Sequence, residues 1–145
     1  MYQSIVVGTD GSPTAQCAVV EATRLSKALG SELHLVAAYE PTRGARVVGS
    51  PEGAGPTLLP DANVQTIADE AAATVRMSGV SVQSHTVTGD PADALIAIAE
   101  QEKAGLIVVG SCGMHGVTRV LGSVPNKVSH RARCNVMIVA TEGAH

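Results

Sequence analysis

The fold is decided by the stretch Ile5-Val6-Val7-Gly8-Thr9-Asp10-Gly11-Ser12, in which an apolar run turns abruptly polar. Consecutive apolar residues without alternation predict a short strand that is buried on both faces. Ser12 before Pro13 then supplies an N-cap and a first helical turn, so a helix follows the strand almost at once. The stretch therefore predicts a β-α unit whose turn carries a carboxylate, Asp10, at the carboxyl end of the strand. Turn chemistry alone also explains Asp, Gly and Ser at these positions, and the two interpretations stay open.

The alternation of strand and helix continues along the rest of the chain. Further β-rich runs cover residues 33–38, 80–87, 106–109 and 136–140, and helical patterns follow near residues 15–30, 62–78, from 91 and from 123. In the second helix the expected buried residues are Ile67, Ala71 and Val75. Right-handed crossovers between such units predict a parallel sheet covered by helices on both faces. Strand 3 alternates apolar and polar residues from Val80 to Gln83, which predicts a position at the sheet edge.

One segment interrupts this pattern. Pro41 to Pro60 holds four Pro and four Gly in twenty residues, a composition that disfavours a helix and predicts a flexible loop. The segment follows strand 2 at its carboxyl end, the side on which open α/β sheets bind ligands. It is either a tolerated surface insertion or a lid over a ligand.

Composition and charge exclude several classes of function. The chain has 145 residues, the length of one domain, with 10 Lys and Arg against 13 Asp and Glu, no Phe and no Trp. A net charge of −3 and only two aromatic residues argue against nucleic acid as a partner. No apolar run is long enough to span a bilayer, and the N-terminus lacks a signal-peptide pattern. We therefore expect a soluble cytoplasmic protein without a membrane partner.

A glycine-rich segment forms the second candidate motif. Val109-Gly110-Ser111-Cys112-Gly113 follows the fourth strand, and Gly122-Ser123-Val124-Pro125 opens the last helix. Glycines let a backbone approach a ligand closely, and a helix start offers free N–H groups to an anion. A plain loop explains either part alone, but both motifs together, after adjacent central strands, favour a binding site.

Other chemistries lack their signatures. There is no G-x-x-x-x-G-K-[ST] and no G-x-G-x-x-G after strand 1, so neither a P-loop nor a dinucleotide-binding domain is indicated. The three Cys and five His are scattered, without zinc spacing or a Ser/His/Asp order. We therefore expect no metal site, no disulfide framework and no catalytic residues, with structural or surface roles for most histidines. His115 is the exception, because it lies in the glycine-rich loop as a candidate phosphate donor.

These segments, with the closing Cys134-Asn-Val-Met-Ile-Val139, resemble the universal stress protein family in its single-domain form. The resemblance implies one domain over residues 1–145, containing the flexible 41–60 loop. It also implies the fold: a five-stranded parallel sheet in the order 3-2-1-4-5 with helices on both faces, similar to the adenine nucleotide alpha hydrolase fold. In one subgroup of the family an adenine nucleotide is bound by G-2x-G-9x-G-[S/T]. Here Gly110 and Gly113 match the first pair and Gly122-Ser123 the last, with eight residues, 114–121, in place of nine.

The same resemblance assigns candidate binding residues. Asp10 and the backbone near Ala38 would hold the adenine, and Thr9 and Val109 would line its slot. The glycine-rich segment would hold the ribose and the phosphates, through Gly110, Gly113, Gly122, Ser123 and Val124. His115 would donate a further hydrogen bond to a phosphate. We also expect Ser123 to cap the last helix.

The implied function is an adenine-nucleotide-binding stress-response protein that acts as a sensor, a regulator or a nucleotide reservoir. The ligand would be ATP, with Mg²⁺ as its companion ion, or cyclic AMP, and the protein would be a homodimer joined through strand 5. Two alternatives stay open: a homodimeric docking module that binds no nucleotide, and a slow ATP hydrolase.

Overall fold

The computed structural model describes residues 2–39, 55–111 and 122–140, with the backbone alone for residues 55–62. Strands and helices alternate along these ranges. The strands are β1 (Ser4–Gly8), β2 (Glu32–Tyr39), β3 (Val82–Thr88), β4 (Leu106–Gly110) and β5 (Asn135–Val139). The helices are α1 (Pro13–Leu29), α2 (Gly55–Met77), α3 (Pro91–Gln101) and α4 (Ser123–Arg131).

The five strands form one parallel sheet in the order β3-β2-β1-β4-β5. This confirms the predicted fold, including the edge position of β3. Because β1 lies at the centre, its carboxyl end meets those of β2 and β4, with Gly8 beside Val36 in the register. The turns that follow these strands are therefore brought to one edge of the sheet.

The core has two layers, one on each face of the sheet. Ile5 and Val7 of β1 face α1 and α2, whereas Val6 between them faces α3 and α4. All three side chains are fully buried. The uninterrupted apolar run of β1 is thus explained by burial on both sides of the strand.

The start and end of α1 follow from short sequence signals. The Ser12 hydroxyl accepts a hydrogen bond from the Ala15 N–H at 3.2 Å, and Pro13 occupies the first turn, where its missing N–H costs nothing. At the other end Gly30 adopts φ 71°, a left-handed conformation that glycine takes without strain. The helix is therefore fixed at the turn that carries Asp10.

The second helix corrects two expectations. It begins at Gly55, so residues 55–60 of the predicted 41–60 loop are helical; residues 41–54 lie outside the described ranges. Pro56 falls in the first turn, where a proline is tolerated, so its presence does not exclude a helix there. The buried positions are Ala68, Ala72 and Val75, not Ile67 and Ala71, which are half-buried. Small alanines allow α2 to lie close against the sheet.

The length and hydropathy of the helices bear on membrane insertion. Within the described ranges, no helix is long and apolar enough to cross a membrane.

Candidate functional site

A cleft opens at the carboxyl edge of the sheet, beside the ends of β1 and β4. The space between its walls is about 630 Å³, including the part that is open to solvent. Strand ends and turns contribute Gly8, Thr9, Asp10, Val36, Ala38, Val109 and Gly110. Helices and their caps contribute Ser12, Thr14, Ala15, Pro91, Leu95, Val124 and Pro125. Most of the wall is apolar, and the polar groups are concentrated in the turn after β1.

That turn is held rigid by its own hydrogen bonds. Asp10 Oδ1 accepts from the Ser12 N–H at 2.9 Å, and Thr9 Oγ1 accepts from the Gly11 N–H at 3.1 Å. The Thr9 N–H donates to the carbonyl of Val36 at 2.9 Å, which ties the turn to β2. The turn chemistry considered from the sequence is thus present. It also fixes the Asp10 carboxylate at the mouth of the cleft, with lone pairs left to accept from a ligand.

Gly8 sets how closely α3 approaches the strand ends. A Cβ at this position would lie 3.2 Å from Leu95 Cδ2 and 3.3 Å from Leu95 Cδ1. Leu95 is buried and lines the cleft together with Val109. The missing side chain of Gly8 therefore lets Leu95 close the floor of the cleft.

The N-termini of α3 and α4 lie side by side on the far wall. The Asp90 carboxylate caps α3 by accepting from the Asp93 N–H at 3.1 Å. Lys127 of α4 donates to the same carboxylate at 3.1 Å. The Asp93 hydrogen bond is the main cause that lowers the pKa of Asp90, and Lys127 lowers it further. The capping residue of α3 thus also links α3 to α4.

The start of α4 differs from the starts of α1 and α3, where Ser12 and Asp90 accept hydrogen bonds from the first turn. The N-cap of α4 is Gly122, which has no side chain to accept from the first N–H groups of the helix. The expectation that Ser123 caps α4 is wrong, because Ser123 is the first helical residue. A helix start of this kind leaves N–H groups for an anion, and the helix dipole adds to the attraction.

The predicted binding residues divide into three groups. Those that line the cleft are Thr9, Asp10, Ala38, Val109, Gly110 and Val124. Gly122 and Ser123 begin α4 beside the cleft but are not among its lining residues. Gly113 and His115, with Cys112, lie outside the described residues.

Sequence reasoning missed the contribution of α3. Pro91 and Leu95 line the cleft because α3 follows β3, and every strand of a parallel sheet ends at the same edge. Because the sequence predicts a helix from residue 91, the predicted topology implies that Pro91 lies at this edge. The inward reach of Leu95 depends on the close contact with Gly8 and carried no sequence signal.

Two of the histidines that the sequence presented as scattered lie in contact. His34 Nδ1 and His85 Nε2 are 3.0 Å apart, and His34 is fully buried. Burial lowers the pKa of His85, His34 lowers it further, and the nearby carboxylates of Glu102 and Glu32 raise it in part. The two rings meet although 51 residues separate them along the chain, because β2 and β3 are neighbours in the sheet.

The chain matches a known protein family over nearly its whole length. The model of the universal stress protein family matches residues 1–140. The chain belongs to this family. Among its relatives is the universal stress protein Rv1636 of Mycobacterium tuberculosis, which is 36% identical over 143 residues, covering 97% of each chain.

Solved structures of the family share the fold. A universal stress protein in complex with cAMP is 34% identical, with a TM-score of 0.74 over 97% of this chain and 98% of that one. The hypothetical protein MJ0577 is 25% identical, with a TM-score of 0.78 over 97% of this chain and 96% of that one. The resemblance drawn from the sequence motifs is thus confirmed at the level of family and fold.

Proposed function

We propose that this universal stress protein binds an adenine nucleotide, cyclic AMP or ATP, in the cleft, and that it acts in the cytoplasm as a stress-response sensor, regulator or nucleotide reservoir. One observation carries the proposal: the cleft joins an apolar slot to a helix start without a side-chain cap. A base needs the first feature, and a phosphate needs the second.

The base would occupy the slot between the sheet and α3. Val109 and Leu95 are buried there, and Ala38 is half-buried, so a flat ring would replace water against apolar walls. Asp10 sits at the mouth, where its carboxylate would accept from the amino group of adenine. Thr9 is 8% exposed and lines the same slot.

The phosphate would lie against the start of α4. An exposed helix N-terminus favours an anion by only about 0.3–1 kcal/mol, whereas micromolar affinity requires about 8 kcal/mol. The apolar slot must therefore supply most of the affinity, and the helix start would orient the phosphate. Gly110, Gly122 and Ser123 would contribute close backbone or hydroxyl contacts. Gly113 and His115 of the glycine-rich segment would also contact the phosphate.

The comparisons support cyclic AMP as one ligand. The universal stress protein whose structure is in complex with cAMP matches nearly the whole of this chain at 34% identity. ATP would place more phosphate at the same helix start, with Mg²⁺ as its companion ion. Asp10 is the one titratable side chain that lines the described part of the cleft. Since a general acid and base usually require two such groups, we propose binding without rapid turnover.

Calorimetric titration with cyclic AMP and with ATP tests this proposal. Ala38→Leu should fill the slot and weaken binding at least tenfold. Ser123→Ala should remove one hydrogen bond to a charged group, worth about 1.5–3 kcal/mol and therefore roughly tenfold or more in affinity. Ala97→Leu, on the exposed face of α3, is the matched control and should bind as the wild type does. If Ala38→Leu and Ser123→Ala both bound with wild-type affinity, the cleft would have only a structural role. The alternative of a docking module that binds no nucleotide would then be favoured.

We also propose a homodimer joined through β5. This strand lies at the sheet edge and pairs with β4 alone within the described sheet. Its apolar residues 136–139 are only half-buried in one chain, and unprotected apolar edges favour pairing. Light scattering should give twice the mass of one chain at micromolar concentration. Ile138→Lys should shift the equilibrium toward single chains, and a wild type that stays monomeric would contradict the proposal.

A further inference from the structure

A second polar cluster lies on the α3 side of the sheet, away from the cleft. It brings together His34 of β2, His85 of β3 and Glu102, which follows α3. One nitrogen or carboxylate oxygen from each residue lies within 4.8 Å of the corresponding atoms of the other two. His34 is fully buried, while His85 and Glu102 are half-buried, so the cluster has a fixed base and an accessible side.

The histidine that forms the base is oriented by a carboxylate. His34 Nε2 lies 3.1 Å from Glu32 Oε1, and His34 Nδ1 lies 3.0 Å from His85 Nε2. When Nε2 carries the proton and donates to Glu32, Nδ1 presents a lone pair toward His85. Metal-binding histidines are typically held in this way, with the second ring nitrogen donating to a carboxylate.

The spacing of the two nitrogens suits a small metal ion. Two nitrogens at about 2.0–2.1 Å from a tetrahedral Zn²⁺ are about 3.4 Å apart. The observed separation of 3.0 Å would have to widen by only about 0.4 Å. Glu102 Oε1 lies 3.8 Å from His34 Nε2, on the Glu32 side of the ring, so the partly exposed Glu102 side chain would have to rotate to reach an ion at Nδ1. Water would complete the coordination.

The charge of the cluster also favours a cation. Glu32 and Glu102 both approach His34, and their second oxygens accept from the amides of Gln83 and Gln101. Within the described ranges neither carboxylate forms an ion pair with a lysine or an arginine. Two carboxylates next to two imidazoles therefore offer a divalent cation both its ligands and its counter-charge.

The cluster is separate from the nucleotide cleft. Pro91 at the start of α3 lines the cleft, and Glu102 comes eleven residues later. At 1.5 Å per residue the two ends of the helix are about 16 Å apart. None of the three proposed ligands lines the cleft, although Val36, two residues after His34 on β2, does.

We propose that His34, His85 and Glu102 bind a divalent transition-metal ion, for which Zn²⁺ has the matching ligand preference, with Glu32 orienting His34. This site could not be predicted from the sequence, because its ligands lie on three separate elements and their spacing along the chain matches no metal-binding motif. The proposal does not depend on nucleotide binding.

Titration of the chelator-treated full chain, without a histidine tag, with Zn²⁺ tests the proposal. The wild type should show one saturable site at these residues. His85→Gln should weaken it at least a hundredfold and Glu102→Gln at least tenfold. Glu32→Gln, which removes only the orienting charge, should weaken it by about 10–100-fold. His130→Gln, an exposed histidine on α4, is the matched control and should leave the affinity unchanged.

Co²⁺ in place of Zn²⁺ identifies the ligands by absorption. The expected spectrum has the visible bands of a tetrahedral centre and no charge-transfer band from a thiolate. Circular dichroism of the metal-free variants should match the wild type, and Glu102→Gln, at the half-buried end of α3, keeps the test valid if His85→Gln does not fold. Unchanged affinity in both variants, absence of saturable binding, or a thiolate band would each overturn the proposal.

Discussion

Gly8→Ala tests the packing that shapes the floor of the cleft. The new Cβ would lie 3.2–3.3 Å from the two δ carbons of Leu95, closer than the roughly 3.5–4.0 Å at which carbon atoms attract best. Leu95 is 3% exposed and packs in the core between α3 and the sheet, so relieving the contact would push it into the cleft that it lines. Overpacking of this kind costs about 1–3 kcal/mol. Replacing a strand glycine by alanine stabilises the folded state by about 0.5–1 kcal/mol, which offsets part of this cost. We expect a net loss of stability and weaker nucleotide binding.

A double-mutant cycle isolates this contact. Leu95→Ala alone should cost about 2–5 kcal/mol because it leaves a cavity. It also removes the atoms that the new Cβ would meet, so in this background Gly8→Ala should stabilise by about 0.5–1 kcal/mol. Denaturant unfolding followed by circular dichroism gives all four free energies. Ile98→Ala, at another buried position of α3, is the control background, in which the two effects should add within about 0.5 kcal/mol. Additivity with Leu95→Ala would refute the packing account.

Two further predictions concern stability. Ser26 is 1% exposed, and its hydroxyl has no hydrogen-bond partner among the described residues. Ser26→Ala should therefore raise the free energy of unfolding by about 1 kcal/mol. Lower stability of the variant in urea melts would show that the hydroxyl is hydrogen-bonded. The pKa of Asp90 is lowered from 3.8, first by the Asp93 N–H and further by Lys127, so its contribution to stability is present above pH 3.8 and lost as the pH falls through the lower folded value. Asp90→Asn, which can still cap α3, should therefore lose less stability between pH 5 and pH 3 than the wild type, and identical acid melts would contradict this.

The sheet could be predicted because its signals are local. The apolar run of β1 indicates burial on both faces, and the alternation from Val80 to Gln83 indicates the edge strand β3. Both follow from the two-residue period of a strand and need no knowledge of partners. Strand order then followed from the family resemblance.

The misplaced face of α2 shows where local reasoning stops. The sequence pattern predicts that Ile67 and Ala71 are buried together with Val75. Ile67 instead lies over the turn after β1, with its side-chain atoms 3.4 Å from a Cβ built on Gly11, while Ala68 and Ala72 face the core. Helical periodicity gives a stripe of apolar residues but does not say which neighbour the stripe meets.

Only the part of the site that follows from strand topology could be predicted from the sequence. Asp10 follows β1, and Val109 and Gly110 are the last residues of β4, so topology alone brings them to one edge. The contact between Gly8 and Leu95 and the meeting of His34 with His85 depend on tertiary packing and on the register of β2 against β3. A single sequence contains no local signal for either.

The central claim is that the cleft binds an adenine nucleotide, and a titration with cyclic AMP followed by the backbone amide signals in NMR tests it most directly. Saturable shift changes are predicted at Gly8, Thr9 and Gly110 on the strand ends and at Val124 in α4. The turn at Gly79, which follows the last residues of α2, should stay unchanged and serves as the internal reference. Absence of saturable changes at the cleft amides, or changes confined to another surface, would contradict the account.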